Sequence, residues 1–365
     1  MGVKMKKIIV LLLFIIVVSL AYSDEIELLN SYWDFYSENH NDYYSMGLGL
    51  ATSADIGDAY LGQINPASVN IVSNSIYLAM GFKSQALLLN GFVLSSKQPI
   101  LDFGYVRSIK KKINVGFYYK STKNFKIHDD SDVETPYLLG KNLFFKETGY
   151  SLIFNFVGLS KLKLGCTLSF NNSLLQEETT YSYVDRFREW QFAAKLGTIF
   201  IPFQNLNLGL TYSLPMEKDV SVLASDDETY FNATKVYPQE LSASLKYQIL
   251  KFNIYYSFDY VNTAADFYDL QDRLNHHIGI KYKLNNTVNL LGGFLTQFGY
   301  YSYESYDEIP QLPPIDNEYF VSGGINLKAE NFSFGISFMD SHITGSIAPK
   351  TFLSFGFSYN GETLF

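Results

Sequence analysis

Hydrophobic and polar residues alternate with a period of two over much of the chain. Leu162, Leu164, Cys166, Leu168 and Phe170 interleave with Lys163, Gly165, Thr167, Ser169 and Asn171. Leu206, Leu208, Leu210 and Tyr212 interleave with Asn205, Asn207, Gly209 and Thr211, and Phe252, Ile254, Tyr256, Phe258 and Tyr260 do the same with Lys251, Asn253, Tyr255, Ser257 and Asp259. Ile113 to Tyr119 and Phe332 to Phe338 repeat the pattern. Such alternation marks strands with one apolar face. The runs extend for about 8–10 residues, close to the ~9–11 of a membrane-crossing strand and longer than the ~5–6 of a soluble sandwich strand.

The connections fall into two classes that alternate strictly. Short ones lie near Ile109–Lys111, Gly158–Lys161, Pro202–Gln204, Ile249–Leu250, Asn285–Asn286 and Ala329–Glu330. Long polar ones span Thr122–Leu143, Leu174–Arg186, Pro215–Pro238, Asn262–Asn275, Tyr301–Asn317 and Ser341–Pro349. Bacterial membrane barrels alternate short periplasmic turns with long external loops in this way. Strands are predicted at 75–83, 98–108, 111–121, 146–158, 162–174, 188–201, 204–214, 239–249, 250–261, 275–285, 287–300, 318–329, 331–340 and 350–360. The expected fold is all-β: a transmembrane antiparallel β-barrel of about 14 strands, closed because an open edge in hydrocarbon leaves backbone groups unpaired. The apolar run Ala86–Leu94 is left as an extension of the first strand or an apolar external hairpin.

Composition sharpens this picture. Aromatic residues make up 17% of the chain and charged residues only 18%, against a usual ~25% charged; the aromatic girdles of membrane barrels account for the excess. Net charge is −8, which argues against a nucleic-acid partner. One cysteine, Cys166, excludes an intramolecular disulfide. At the N-terminus Lys4, Lys6 and Lys7 precede a 13-residue apolar run, Ile8–Leu20, and Ala21-Tyr22-Ser23 puts small residues at −3 and −1 before Asp24. This reads as a secretory signal peptide over residues 1–23, too short for the ~20 residues of a helical span. It addresses the chain to a Gram-negative-type envelope, with the barrel (75–365) in the outer membrane. The C-terminal Phe355, Phe357, Tyr359 and Phe365 are similar to the signal read by barrel-assembly machinery.

Residues 24–74 precede the first strand. They contain Met46-Gly47-Leu48-Gly49-Leu50-Ala51, then Asp55, Asp58-Ala59-Tyr60 and Ile64-Asn65-Pro66-Ala67. This order resembles the FadL superfamily, which holds long-chain fatty-acid and hydrocarbon transporters and PorV-like proteins, with its G-x-G-x-A, A-D-D-A and N-P-A elements. Two later blocks resemble it as well: Tyr237 to Tyr260 around Pro238, and Leu291-Gly292-Gly293-Phe294 followed by Leu312-Pro313-Pro314. Gly57, Ile64 and Ser68-Val69 depart from the family's usual residues. The resemblance implies that residues 24–74 fold inside the barrel as a hatch, with Gly47, Gly49, Asp58, Asn65, Pro66 and Ala67 in its gating elements. Pro66 fixes a turn, so Asn65-Pro66-Ala67 is open to a purely structural reading or to lining a ligand passage.

No residue set suggests catalysis, and neither a cofactor nor a metal is expected. His276 and His277 are adjacent on a strand, point opposite ways and cannot share a metal. Ser341 and His342 adjoin in a loop, which does not make a nucleophile–base pair. Acidic clusters in the long loops, such as Asp226-Asp227-Glu228, suit solvated positions beside outer-membrane lipid. Three functions remain. The first is passive transport of hydrophobic small molecules, with Tyr118, Tyr255 and Met339 as lumen-lining candidates on the nominally polar parity. The second is a PorV-like shuttle for secreted or surface-attached proteins. The third, a polar porin, is disfavoured by the hatch.

Overall fold

The computed structural model describes residues 42–71, 73–85, 87–89, 92–95, 100–129, 142–178, 183–214, 216–223, 230–237, 239–262, 273–297, 318–342 and 350–362. The expected signal peptide and the first part of the expected hatch, residues 24–41, lie outside them, as does Phe365.

One five-residue helix, α1 (Tyr43–Gly47), opens the described chain, followed by two 3-10 turns at Ala59–Gln63 and Pro66–Ser68. The strands are β1 (Asn74–Gln85), β2 (Leu87–Leu89), β3 (Phe92–Ser95), β4 (Ile100–Ile109), β5 (Ile113–Asp129) and β6 (Asn142–Phe156). Next come β7 (Leu162–Glu178), β8 (Tyr183–Phe203), β9 (Leu206–Ser213), β10 (Met216–Leu223), β11 (Tyr230–Tyr237) and β12 (Gln239–Ile249). The last are β13 (Phe252–Asn262), β14 (Arg273–Lys283), β15 (Val288–Gln297), β16 (Glu318–Ala329), β17 (Phe332–Asp340) and β18 (Lys350–Gly361).

Fourteen of these form a closed antiparallel barrel in the order β1-β4-β5-β6-β7-β8-β9-β12-β13-β14-β15-β16-β17-β18, with β18 pairing back onto β1. The other four make two hairpins. β2 and β3 pair with each other, and β3 continues onto the upper part of β5, so the described residues of the apolar run, 87–89 and 92–94, form a paired hairpin. β10 and β11 form a separate ribbon where the sequence reading expected only a long polar loop. β5 to β8 also run past their expected ends, to Asp129, Asn142, Glu178 and Tyr183, which shortens the loops expected at 122–143 and 174–186. Lipid imposes the period-two pattern only inside the membrane, so these upper extensions carry a weaker sequence signal.

The parity of each strand sorts its residues by solvent. Along β9, Asn207, Gly209 and Thr211 are buried while Leu208 and Leu210 are exposed. The same division puts Leu101, Phe103, Phe117, Leu152, Phe154, Leu164, Leu196, Ile254, Ile278, Ile280 and Phe334 on the outside. An apolar surface that wraps the whole barrel far exceeds the patches of a few hundred Å2 tolerated on soluble proteins and marks a membrane-embedded wall. Trp190, Tyr150, Phe170 and Phe192 extend it towards the long-loop end, with Tyr150 and Trp190 ring centroids 6.0 Å apart. Cys166, half-buried, pairs in register with Phe154 and Leu196 on this outer face. No helix among the described residues is long and apolar enough to cross a membrane; the strands do so.

Leu210→Arg, on the outer face of β9, should lower unfolding stability by about 2–4 kcal/mol in lipid bilayers, whereas Ser337→Ala, on the inner face of β17, should change it little. Urea titration of the reconstituted protein reads both.

Candidate functional site

The barrel encloses residues 42–71, which fill its middle and its short-turn half as a plug. Outside α1 and its two 3-10 turns the plug has no regular structure, so the wall must satisfy many of its buried peptide groups. Wall asparagines do much of this. Asn114 Nδ2 donates to Val69 O at 3.1 Å, Asn155 Nδ2 to Pro66 O at 2.9 Å, and Asn207 Nδ2 to Ala54 O at 3.1 Å. Where backbones touch, the wall is glycine. A Cβ at Gly279 would lie 2.6 Å from Leu48 O, and one at Gly209 would lie 2.7 Å from Ser53 O. A Cβ at Gly165 would fall on the Pro66-Ala67 peptide itself, and one at Gly197 on the Asn65 side-chain oxygen and the Pro66 ring.

The residues singled out in the sequence are spread through this plug. Gly47 packs against Leu291 and Ser337. Gly49 takes a left-handed φ of +61°, and Leu50 follows at 63°, a costly conformation for a branched residue. Asp58 accepts from Ser358 Oγ at 3.2 Å and from Asn360 Nδ2 at 2.9 Å. Asn65 caps its own turn by accepting from Ala67 N at 2.9 Å and donates to Ser53 O at 2.7 Å; Pro66 and Ala67 are buried beside β6, β7 and β8. Tyr118 donates to Ala59 O at 2.9 Å and Tyr255 to Asp55 Oδ2 at 3.0 Å. Met339 joins Met46, Leu50, Leu295, Phe320 and Phe352 in an apolar cluster near the long-loop end. All three lumen-lining candidates therefore point inward, and they bear on the plug or on neighbours that cover it.

The rest of the upper lumen is polar. Lys120, Glu147, Gln191, Lys195, Glu240, Asp259, Arg273 and Asn275 occupy the inward parity of β5 to β14. The apolar cluster on β15–β18 is thus a patch in a largely polar interior, and the buried Lys350–Glu318 pair, 2.7 Å apart, lies on the same strands.

The sequence reading did not single out the most heavily bonded group. The Asp55 carboxylate of the plug accepts from Lys246 Nζ at 2.5 Å, Tyr44 Oη at 2.7 Å, Tyr255 Oη at 3.0 Å and Ile56 N at 2.8 Å. Lys281 Nζ in turn donates to Tyr44 Oη at 2.6 Å and sits 5.1 Å from the Tyr44 ring centroid. Burial alone would push Asp55 up, but Lys246 and Lys281 outweigh it and hold the carboxyl well below the usual carboxylate range. The same burial pushes the Tyr44 hydroxyl upward, so it remains a neutral donor. A second link joins Gly49 to the wall: His277 Nδ1 lies 3.0 Å from Gly49 O, and its Nε2 lies 2.8 Å from Asp259 Oδ2. The Gly49 carbonyl can only accept, so Nδ1 is the donor in that bond. His276, on the opposite face, contacts Tyr256 instead. The signal that could have found this cluster was present: Lys246 and Lys281 stand on the lumenal parity of β12 and β14, as Asp55 stands in the plug motif.

Asp42 caps α1, accepting from Ser45 N at 2.7 Å, and burial pushes its carboxyl up to about 6 despite that bond and Lys120. Its docked value lies above its undocked one, so this group favours docking at low pH and weakens it as pH rises through about 4 to 6. Asp55 runs the other way: its docking contribution is present above the ordinary carboxylate range and is lost as pH falls. Among the described residues, no cluster of three His, Cys, Asp or Glu side chains is placed to hold a metal ion.

With this geometry in hand, comparison with solved structures gives the fold its class. A Pseudomonas aeruginosa FadL homologue superposes with a TM-score of 0.68 at 10% identity, covering 88% of this chain and 98% of that one. The Pseudomonas putida toluene transporter TodX gives 0.62 at 12% identity, over 90% and 100% of the two chains. The Ralstonia pickettii toluene transporter TbuX gives 0.64 at 11% identity, over 88% and 99%. The fold is that of the FadL-type outer-membrane barrels. No protein-family profile and no curated protein matches the sequence.

Lys246→Met should strand a buried carboxylate, cost roughly 3–5 kcal/mol of plug docking and raise the open fraction in planar-bilayer recordings at neutral pH. Adding Asp55→Asn to it should recover part of the loss. Asp42→Asn should flatten the wild-type rise in opening between pH 4 and 7 and leave the acid-side effect of Asp55 in place.

Proposed function

We propose that this chain is exported through its N-terminal signal peptide and acts in the outer membrane as a passive channel for hydrophobic small molecules, gated by the plug. The observation that carries this reading is the plug itself. A 14-stranded wall closed around a heavily bonded segment sets that segment in the path of a solute, and in this reading passage requires a ligand that lowers the cost of displacing it. The apolar sector of Met46, Leu50, Leu295, Phe320, Met339 and Phe352 supplies a surface that such a ligand could occupy at about 25 cal/mol per Å2 of apolar area withdrawn from water. Barrels of the same fold include transporters of toluene. Gly47, Gly49, Asp58 and Asn65-Pro66-Ala67 are the gating elements in this reading. Insertion relies on barrel-assembly machinery acting at the C-terminal strand, with outer-membrane lipid as the surrounding partner.

A second reading, a shuttle for secreted proteins, draws on the charged wall of β5–β14, which a purely hydrophobic ligand would not need.

Deleting residues 41–70 should open the barrel, raising liposome swelling in sugars while reducing selective uptake of a labelled fatty acid or alkane. If the intact protein already passes sugars and binds no apolar probe, the channel reading fails. If it passes neither and instead pulls down a secreted protein, the shuttle takes its place.

A further inference from the structure

β1 and β18 form the one pairing in the barrel that joins the two ends of the chain. Of the other thirteen neighbouring barrel pairs, eleven join consecutive strands and two, β1–β4 and β9–β12, are linked through a single hairpin, whereas Asn74 meets Gly361 and Gln85 meets Lys350 across the whole sequence. Closure there carries the largest loop entropy in the fold. The plug lies directly over this seam and touches both sides of it.

Two adjacent plug residues do so by hydrogen bonding. Asp58 presents both carboxylate oxygens to β18, accepting from Ser358 and Asn360. The next residue, Ala59, donates its N–H to Ser75 Oγ on β1 at 3.2 Å. Ser75 and Asn360 are direct cross-strand partners, as are Tyr77 and Ser358, so Asp58-Ala59 spans one rung of the seam. Asp58 occupies the position preceding the 3-10 turn Ala59–Gln63, yet its side chain makes no capping bond to that turn and is turned to the wall instead.

An aromatic layer crosses the same seam independently. Tyr43 fills the space left by Gly335 of β17 and Gly356 of β18. Its ring lies 6.2 Å from Tyr60, Tyr60 lies 6.5 Å from Tyr77 of β1, and Tyr77 lies 5.9 Å from Tyr118 of β5. Gln63 Nε2 also donates to Tyr77 Oη. The chain that follows the plug enters β1 at Asn74, which tethers the plug to this edge before closure.

We propose that the Asp58–Gln63 turn is an internal clasp that closes the barrel: it aligns β18 on β1 in register, and the barrel shuts around a plug already in place. Asp58 is then a positioning residue for the seam, beyond any part it has in gating. The two roles separate experimentally, because closure can be scored without any transported ligand.

The test uses the full-length mature chain with Cys166→Ser, refolded from urea into detergent micelles, with barrel closure read as resistance to heat-dependent mobility shift in gel electrophoresis. Asp58→Ala removes both bonds to β18 and should lower the ratio of closed to unclosed chains roughly tenfold. A disulfide built at Ile76→Cys and Tyr359→Cys, a directly opposed pair on the outer face of the seam, replaces the clasp covalently. Asp58→Ala carrying that disulfide should close as fully as the same disulfide variant with Asp58 intact, and adding reductant during refolding should abolish the rescue. The proposal is overturned if Asp58→Ala closes as readily as the parent. It is equally overturned if the oxidised seam disulfide leaves Asp58→Ala as poorly closed as before.

Discussion

Thirty residues inside a membrane barrel must bury their peptide groups with only a five-residue helix and two 3-10 turns of their own, and the rest of the molecule answers to that constraint. Unpaired backbone groups at this depth are costly, so the wall is shaped to receive them. It withdraws side chains where backbones meet, at Gly165, Gly197, Gly209 and Gly279, and it extends amides from Asn114, Asn155 and Asn207 to the carbonyls left over. A wall built this way fits one path of the plug. A methyl group at Gly197 would collide with Asn65, and a plug carbonyl moved by a few ångströms would lose its amide.

Specific fit and mobility pull against each other, and the charged contacts divide the two tasks. Asp55 lies among Lys246, Tyr44, Tyr255 and, one hydroxyl further, Lys281. Buried ion pairs of this kind add little net stability over apolar packing, yet breaking one partner is costly, which suits a catch that must hold one position and release as a unit. The strained left-handed pair Gly49-Leu50 lies in the same arm, with Leu50 against the apolar cluster that a hydrophobic ligand would reach. Asp58, by contrast, engages the seam of the barrel beside a layer of tyrosines.

The wall was legible in the sequence because lipid and lumen impose opposite demands on alternate residues. β12 runs from Gln239 to Ile249 as its alternation predicts, and the short turns at Lys110, Leu250 and Glu330 fall where the pattern breaks. Legibility fades where that demand ends. The upper parts of β7 and β8, and the β10–β11 ribbon, follow no strict parity of apolar and polar residues. The plug is legible as composition and motif but not as a path, since its contacts pair residues such as Asp55 and Lys246, or Gly49 and His277, across most of the chain. Asn65 and Pro66 could be named as special, whereas their receiving glycines Gly165 on β7 and Gly197 on β8 look in sequence like ordinary small residues of a polar face.

The central claim is that the plug closes the lumen and must move for a hydrophobic molecule to pass. A reversible lock tests it. In a Cys166→Ser background, Gly47→Cys and Ser337→Cys place one thiol on the plug and one on β17, where a Cβ at Gly47 lies 3.2 Å from Ser337 Cβ. Uptake of a labelled hydrophobic probe into proteoliposomes is measured with the pair oxidised and then reduced. The account predicts that oxidation stops uptake and that reductant restores it, with neither single cysteine showing the effect. Uptake that continues undiminished through the oxidised, cross-linked protein would contradict it.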